Sequence, residues 1–284
     1  MARMKFVSPV SLAVLVAIGC GSGKPQDASA KMDSEAKPKP LDETYAPNAP
    51  EEIVETRTAA PATSAAPTSA AKGPAVVKGT VTLSGTAPKP EAIKMSADPV
   101  CQQQHAGPFY GEEVAVNEQG RLKNALVYVK EGVSGAYPAS TTPVTLNQSG
   151  CWYTPHVFGI QVNQPLEIVN SDATLHNINA KPKLNTPFNI AQPSKGNSST
   201  KKFAKPELGV AFKCNVHPWM RAYAGVFDHP FYNVTDANGS FTIPGLPAGT
   251  YTLEAWHEKY GTQDQAVTVG DGETTLVDFT FKAQ

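Results

Sequence analysis

Four side chains with metal-binding chemistry lie in two short segments of the chain. Cys214, His217 and Met220 stand at positions i, i+3 and i+6, and His176 belongs to a segment further upstream. A thiolate, two imidazoles and a thioether suit copper, because soft sulfur favours Cu(I) and imidazole favours Cu(II). One loop can turn around a single ion while His176 approaches from a neighbouring strand. The spacing therefore predicts a copper site in which Cys214 and the two histidines form a plane and Met220 is axial.

Each of these residues also has a purely structural interpretation. A free Cys is often a small buried core residue, and a single His at a strand end is often only hydrogen-bonded. The four together favour a metal. His229 and His257 have no sulfur-containing neighbour in the sequence, so we expect them at the surface. Because no paired carboxylates, nucleophile elbow or HExxH motif is present, we expect no enzymatic activity.

The elements that must position these ligands are short β-strands. From residue 76 onward, apolar residues alternate in brief runs separated by turn residues, which is typical of antiparallel sheets. The 22 glycines and 25 prolines argue against a helical bundle. The net charge of −1, without a Lys/Arg cluster, argues against a nucleic-acid partner. We therefore predict an all-β fold with strands within residues 76–83, 126–129, 160–169, 210–214, 241–243, 251–256, 265–269 and 276–281.

Two separated segments resemble the ligand motifs of cupredoxins, the plastocyanin- and amicyanin-like blue-copper family. Residues 153–177 are similar to the long hairpin that ends in the first His ligand, and residues 214–220 are similar to the C-terminal ligand loop. The resemblance implies a Greek-key β-sandwich that holds one type 1 copper. It also implies that Asn177 ties the two ligand loops together. Dinuclear relatives need a second Cys where this chain has Val210, so a dinuclear centre is not expected.

Residues 234–253 resemble the core of the carboxypeptidase-regulatory, transthyretin-like β-sandwich. Asn238 and Gly239 are typical of a tight hairpin turn, and further Pro-Gly and Ala-Gly pairs bracket the next bend. The C-terminal part, residues 227–284, is too short for a complete sandwich. We therefore predict that residues 76–143 supply the first strands and that residues 144–226 form an inserted cupredoxin-like domain. A tandem arrangement of residues 76–226 and 227–284 is the alternative.

The N-terminus has the features of an export signal. Arg3 and Lys5 precede an apolar run over residues 7–18 that is too short to span a bilayer, and small residues lead to Cys20. This resembles a bacterial lipoprotein signal, which implies cleavage after residue 19 and acylation of Cys20. An ordinary cleaved signal is the alternative. The resemblance places the protein in the cell envelope, on the periplasmic or surface face, and the Gly after Cys20 favours an outer membrane where the cell has one.

Residues 20–75 are rich in Ala, Pro, Ser and Thr and contain few large apolar side chains. Such a segment cannot bury enough apolar surface to offset the entropy lost on ordering, so we predict a disordered tether.

The two remaining cysteines follow from these resemblances. If Cys20 is acylated and Cys214 binds copper, Cys101 and Cys151 are left in an oxidising compartment, where we expect them to form a disulfide. Cys101-x3-His105 and Cys151-x4-His156 also permit a Cys2His2 zinc site, which stays open as the alternative.

The resemblances imply a membrane-tethered electron carrier that transfers electrons through an outer-sphere mechanism. We expect the ring edge of His217, followed by Pro218 and Trp219, to lie at an apolar surface where a redox protein such as a cytochrome or dehydrogenase docks briefly. A copper storage or delivery lipoprotein would use the same ligands. A third possibility is an accessory adhesion or carbohydrate-binding sandwich with a vestigial metal site, in which exposed Trp256 or Tyr260 stacks on a sugar.

Overall fold

The computed structural model describes residues 74–283, and within them nearly all regular structure is β-strand. The predicted signal peptide, Cys20 and the tether up to residue 73 lie outside the described residues. The single helix of the described part has five residues, and no helix there is long and apolar enough to cross a membrane. The all-β prediction is therefore confirmed.

Strands from both ends of the described chain build one sandwich, the outer sandwich. Its strands are β1 (Ala75–Ser84), β2 (Leu126–Glu131), β12 (Tyr232–Val234), β13 (Ser240–Leu246), β14 (Gly249–His257), β15 (Gly261–Val269), β16 (Thr274–Leu276) and β17 (Phe279–Lys282). One sheet has the order β13-β1-β16, with β17 also pairing with β1, and the other has the order β12-β2-β14-β15. The alternating apolar residues of the two sheets share one core.

The chain between β2 and β12 builds a second sandwich, the inner sandwich. Its strands are β3 (Val144–Gln148), β4 (Tyr153–Thr154), β5 (Val157–Gln161), β6 (Leu166–Asn170), β7 (His176–Lys181), β8 (Phe188–Gln192), β9 (Ser198–Lys201), β10 (Glu207–Lys213) and β11 (Arg221–Phe227). The two sheets have the orders β5-β11-β10-β7-β8 and β4-β3-β6-β9, and they enclose a separate core. A small apolar cluster around Leu126, Val157 and Phe227 joins the two sandwiches.

The helix α1 (Pro99–Gln103) lies in the connection between β1 and β2 but belongs to the inner core. Cys101 is fully buried there and is joined to Cys151 by a disulfide, with the Cα atoms 5.4 Å apart. Asp98 caps the helix, because its carboxylate accepts the backbone N–H groups of Val100 and Cys101. The predicted disulfide is present, and it fastens α1 to the loop that precedes β4.

Four predicted features differ from the structure. The run over residues 160–169 is not one strand, because Asn163 adopts a left-handed φ of 65° and turns the chain between β5 and β6. The run over residues 276–281 is also divided, between β16 and β17. His229 and His257 are not surface residues: their exposed fractions are 7% and 1%. His229 is inside because its Nε2 bonds the carbonyl of Val129 at 2.9 Å, and His257 because its ring stacks on Tyr260.

Candidate metal centre

The antiparallel pairing of β7 with β10 brings the predicted ligands to one end of the inner sandwich. His176 begins β7, Cys214 follows the last residue of β10, and His217 lies in the loop that leads to β11. The His176 Nδ1 and His217 Nδ1 atoms are 2.9 Å apart, and Cys214 Sγ is 3.9 Å from His217 Nδ1. All three potential ligand atoms lie within 4.8 Å of one another, and all three residues are buried.

The ligand loop is closed by its own backbone. Cys214 N–H donates to the Met220 carbonyl at 3.2 Å, and Met220 N–H donates to the His217 carbonyl at 2.9 Å. The His217 N–H donates to Cys214 Sγ at 3.3 Å, which supports a thiolate. Met220 is fully buried in the inner core beside this loop.

Asn177 connects the start of β7 to the ligand loop. Its Oδ1 accepts the Asn215 N–H at 2.7 Å and lies 3.4 Å from Cys214 Sγ. Its Nδ2 donates to Asn189 Oδ1 on the neighbouring strand β8 at 2.6 Å. Strands β7 and β8 and the ligand loop therefore hold this amide, and the amide orients the sulfur.

Two carboxylates that the residue pattern did not indicate hold the far sides of the imidazole rings. His176 Nε2 donates to Asp172 Oδ2 at 2.9 Å, and His217 Nε2 donates to Asp98 Oδ2 at 2.9 Å. Asp172 also accepts the backbone N–H groups of Gly150 and Cys151. A carboxylate that binds the outer nitrogen of a ligating His orients the ring and raises its basicity. Asp172 has a local signal, four residues before His176, but Asp98 is 119 positions from its partner.

The cluster stabilises a thiolate. Burial raises the pKa of the Cys214 thiol, but hydrogen bonds from His176 and His217 outweigh burial and lower the pKa to about 5. Burial also opposes the charged form of each imidazole, yet the carboxylates and the sulfur raise the pKa of both histidines. The sulfur is therefore ready to bind a cation near neutral pH.

The site can hold a cation between the two rings. Both Nε2 atoms lie 2.9 Å from carboxylate oxygens, and the two Nδ1 atoms lie 2.9 Å apart. When both Nε2 atoms carry protons, a proton or a metal ion between the Nδ1 atoms relieves the repulsion between their lone pairs and the thiolate. One thiolate and two imidazoles fit copper, and the Met220 thioether belongs to the same loop as Cys214 and His217.

The expectation that the His217 ring edge lies at the surface is wrong. Its exposed fraction is 2%, because α1 and the disulfide cover it: Cys101 Sγ is 3.5 Å from His217 Nε2. Trp219 packs against the same ring and donates its Nε1–H to the Cys151 carbonyl at 3.0 Å, and it is only partly exposed. Pro218 is exposed.

The geometry supports neither the alternative Cys2His2 zinc site nor an exposed sugar-binding surface at Trp256 or Tyr260. Cys101 and Cys151 are oxidised, and His105 Nε2 lies 2.8 Å from the Gly150 carbonyl, so the zinc set does not assemble. Trp256 is partly buried between Tyr223 and the backbone of Gly209 instead of being an exposed sugar platform. Tyr260 is also partly buried.

Comparisons with known proteins cover parts of the chain. Residues 228–282 match the family model of the carboxypeptidase regulatory-like domain. No curated protein matches significantly. A copper-containing nitrite reductase from Thermus scotoductus SA-01 is 24% identical with a TM-score of 0.27, and the match covers 35% of this chain and 25% of that one.

Two further solved structures are small copper proteins. A purple cupredoxin from Nitrosopumilus maritimus is 19% identical with a TM-score of 0.25, over 29% of this chain and 97% of that one. An amicyanin variant in the Cu(I) form is 15% identical with a TM-score of 0.27, over 35% of this chain and 97% of that one. All three similarities are weak.

Proposed function

We propose that this protein is a one-electron carrier that holds a single type 1 copper at Cys214, His176 and His217, with Met220 as the weaker fourth ligand. The observation that carries the proposal is the buried thiol with two facing Nδ1 atoms, each on a ring whose Nε2 is held by a carboxylate. Bound copper would supply the one-electron step between Cu(II) and Cu(I).

The surrounding residues hold the ligands in one arrangement. Asn177 orients the Cys214 sulfur, while Asp98 and Asp172 set the tautomer and direction of the two rings. A scaffold that leaves the ligands little freedom needs little rearrangement when the metal changes oxidation state. Preorganised ligands therefore favour rapid outer-sphere transfer.

The burial of the ligands favours an electron carrier over an enzyme. Catalytic metal sites keep an open coordination position for water or substrate. Here the residues Cys214, His176 and His217 are at most 2% exposed, so a substrate cannot approach their ligand atoms without a rearrangement. Electrons can cross a buried site without such access, and we propose no catalytic residue.

Cys20 and the segment up to residue 75 would place this carrier at a membrane. We propose that acylated Cys20 anchors the chain to the cell envelope, on its periplasmic or surface face, and that a cytochrome or a dehydrogenase exchanges electrons with it. Incorporation of labelled palmitate into the wild-type chain but not into Cys20→Ala supports the anchor. Equal incorporation into both chains contradicts it.

The copper proposal is tested by the absorption spectrum of the purified chain after addition of Cu(II), compared with the Cys214→Ala variant. Bonding between thiolate and Cu(II) should give an intense visible band that the variant lacks, with one copper per chain. Two colourless proteins without stoichiometric copper would refute the proposal. Repeated reduction and reoxidation without metal loss distinguishes an electron carrier from a storage or delivery protein, which releases Cu(I) to a competing chelator.

A further inference from the structure

The outward face of the sheet that carries Cys214 is basic. Lys181 on β7, Lys213 on β10 and Arg221 on β11, here called the basic triad, are all exposed. Lys213 and Arg221 lie directly opposite each other in the β10–β11 pair. Like charges in this position destabilise a sheet. None of the three forms an ion pair with any residue that the structure describes.

The charge belongs to the inner sandwich and not to the chain as a whole. Residues 144–226 contain eight Lys and Arg residues and three Asp and Glu residues, a net charge of +5, whereas the whole chain has a net charge of −1. Two of the three acids, Asp172 and Glu207, are buried and bonded to protein groups. The outside of this sandwich is therefore more positive than the count alone indicates.

The basic triad surrounds a depression of about 390 Å³ whose wall includes Cys214 itself. Pro218 and Tyr223 add apolar surface to the same wall. Lys213 directly precedes Cys214 in the chain, so this surface is one residue from the proposed copper ligand. The other route from the surface to the proposed copper site crosses the His217 ring. This route is covered by α1 and the disulfide between Cys101 and Cys151.

We propose that this depression is the docking surface for an acidic redox protein, and that electrons cross at Cys214 instead of at the His217 ring. The proposal rests on the copper function proposed above. In each encounter one electron moves between the partner and the copper, and no proton or chemical group is transferred. Charge complementarity speeds such encounters and is screened by salt, while the apolar centre permits close contact.

The first experiment does not depend on copper. Hexacyanochromate(III), a redox-inert paramagnetic anion, is added to the isotopically labelled apo chain, and the broadening of amide NMR signals is mapped. Residues 211–215 and 221–223 should broaden first, and a variant with Lys181→Gln, Lys213→Gln and Arg221→Gln should lose this effect. Broadening centred elsewhere, or unchanged in the variant, would overturn the docking surface.

A matched control removes the same charge from other parts of the inner sandwich. Lys195, Lys202 and Lys205 are exposed and do not line the depression, so their triple Gln variant should keep the wild-type pattern of broadening. Loss of the pattern in both triple variants would mean that only total charge matters, which contradicts a defined surface.

The second experiment measures electron transfer from the reduced copper protein to small oxidants at low ionic strength. Neutralising the basic triad should slow oxidation by hexacyanoferrate(III) about ten-fold and accelerate oxidation by the tris(phenanthroline)cobalt(III) cation, and high salt should abolish both effects. Normal copper binding with unchanged rates would overturn the surface and leave the copper function standing. Failure to bind copper would overturn that function and the redox role of the surface, while the NMR map still shows where anions bind.

Discussion

Asp98 provides the sharpest test of how the site is built, because it reaches His217 from the N-terminus of α1, in the connection between β1 and β2. Its Oδ2 accepts the His217 Nε2–H and the Thr174 hydroxyl, each at 2.9 Å, while Oδ1 caps α1. In Asp98→Asn, one oxygen can keep the helix cap, and Asn is a good capping residue. The amide nitrogen then faces another donor, so His217 loses its partner.

The expected cost follows from this single contact. Hydrogen bonds to a charged group contribute about 1.5–3 kcal/mol, and the Asp98 side chain is 18% exposed, so water replaces part of the loss. Removing an outer partner of a ligating His typically weakens metal binding by about 10- to 100-fold, or about 1.4–2.8 kcal/mol. We expect Asp98→Asn to fall within this range.

The assay is a Cu(I) titration against a competing chelator, together with the unfolding midpoint of the apo protein. Thr174→Val is the matched control, because it removes the other donor to Asp98 Oδ2 and leaves the bond to His217 intact. The control should bind Cu(I) within about two-fold of the wild type. Equal affinities for wild type, Asp98→Asn and Thr174→Val would refute the argument that the carboxylate positions the ring.

Three further predictions concern stability. Replacing Cys101 and Cys151 by Ser opens a covalent loop with a separation of 50 and should lower the free energy of unfolding by about 4 kcal/mol in urea titrations; a loss below about 1 kcal/mol would contradict this. Burial lowers the pKa of His257 from 6.5 to about 4, so between these pH values the unfolded chain binds a proton on His257 that the folded chain does not. The free energy of unfolding should therefore fall by about 2 kcal/mol between pH 7 and 5. His257→Phe should remove that part of the pH dependence in thermal melts, and an unchanged slope would show that other groups cause it. Gly79→Ala places a Cβ 1.6 Å from the Val277 carbonyl oxygen and should lower the free energy of unfolding by about 3 kcal/mol. Gly107→Ala is the control, because its Cβ meets no atom within 4 Å and should leave stability unchanged. Equal melting temperatures for the two variants would exclude the clash.

Local patterns were sufficient to predict the fold class and most strands. Alternating apolar residues report directly on which face of a strand is buried, so the runs at residues 126–129 and 251–256 lie within β2 and β14. The split of the run at residues 160–169 escaped prediction. A turn at Asn163 that keeps apolar residues on both sides does not interrupt the pattern.

The pattern of residues also indicated which side chains meet at the candidate site. Cys214 and His217 are close because they are three residues apart in one loop. His176 joins them because two strands that pair antiparallel, β7 and β10, bring the start of one to the end of the other. These contacts join residues that are close in the sequence or that one strand pairing brings together, so they can be predicted from the sequence.

Only the tertiary structure decided the surroundings of those ligands. The Asp98 carboxylate and the burial of His217 depend on contacts between segments that are far apart in the chain. Such contacts leave no periodic trace, because hydrogen bonds and burial depend on where distant segments pack and not on spacing along the sequence. The candidate ligand set therefore follows from spacing in one loop and one strand pairing, while the cover over His217 was decided by packing.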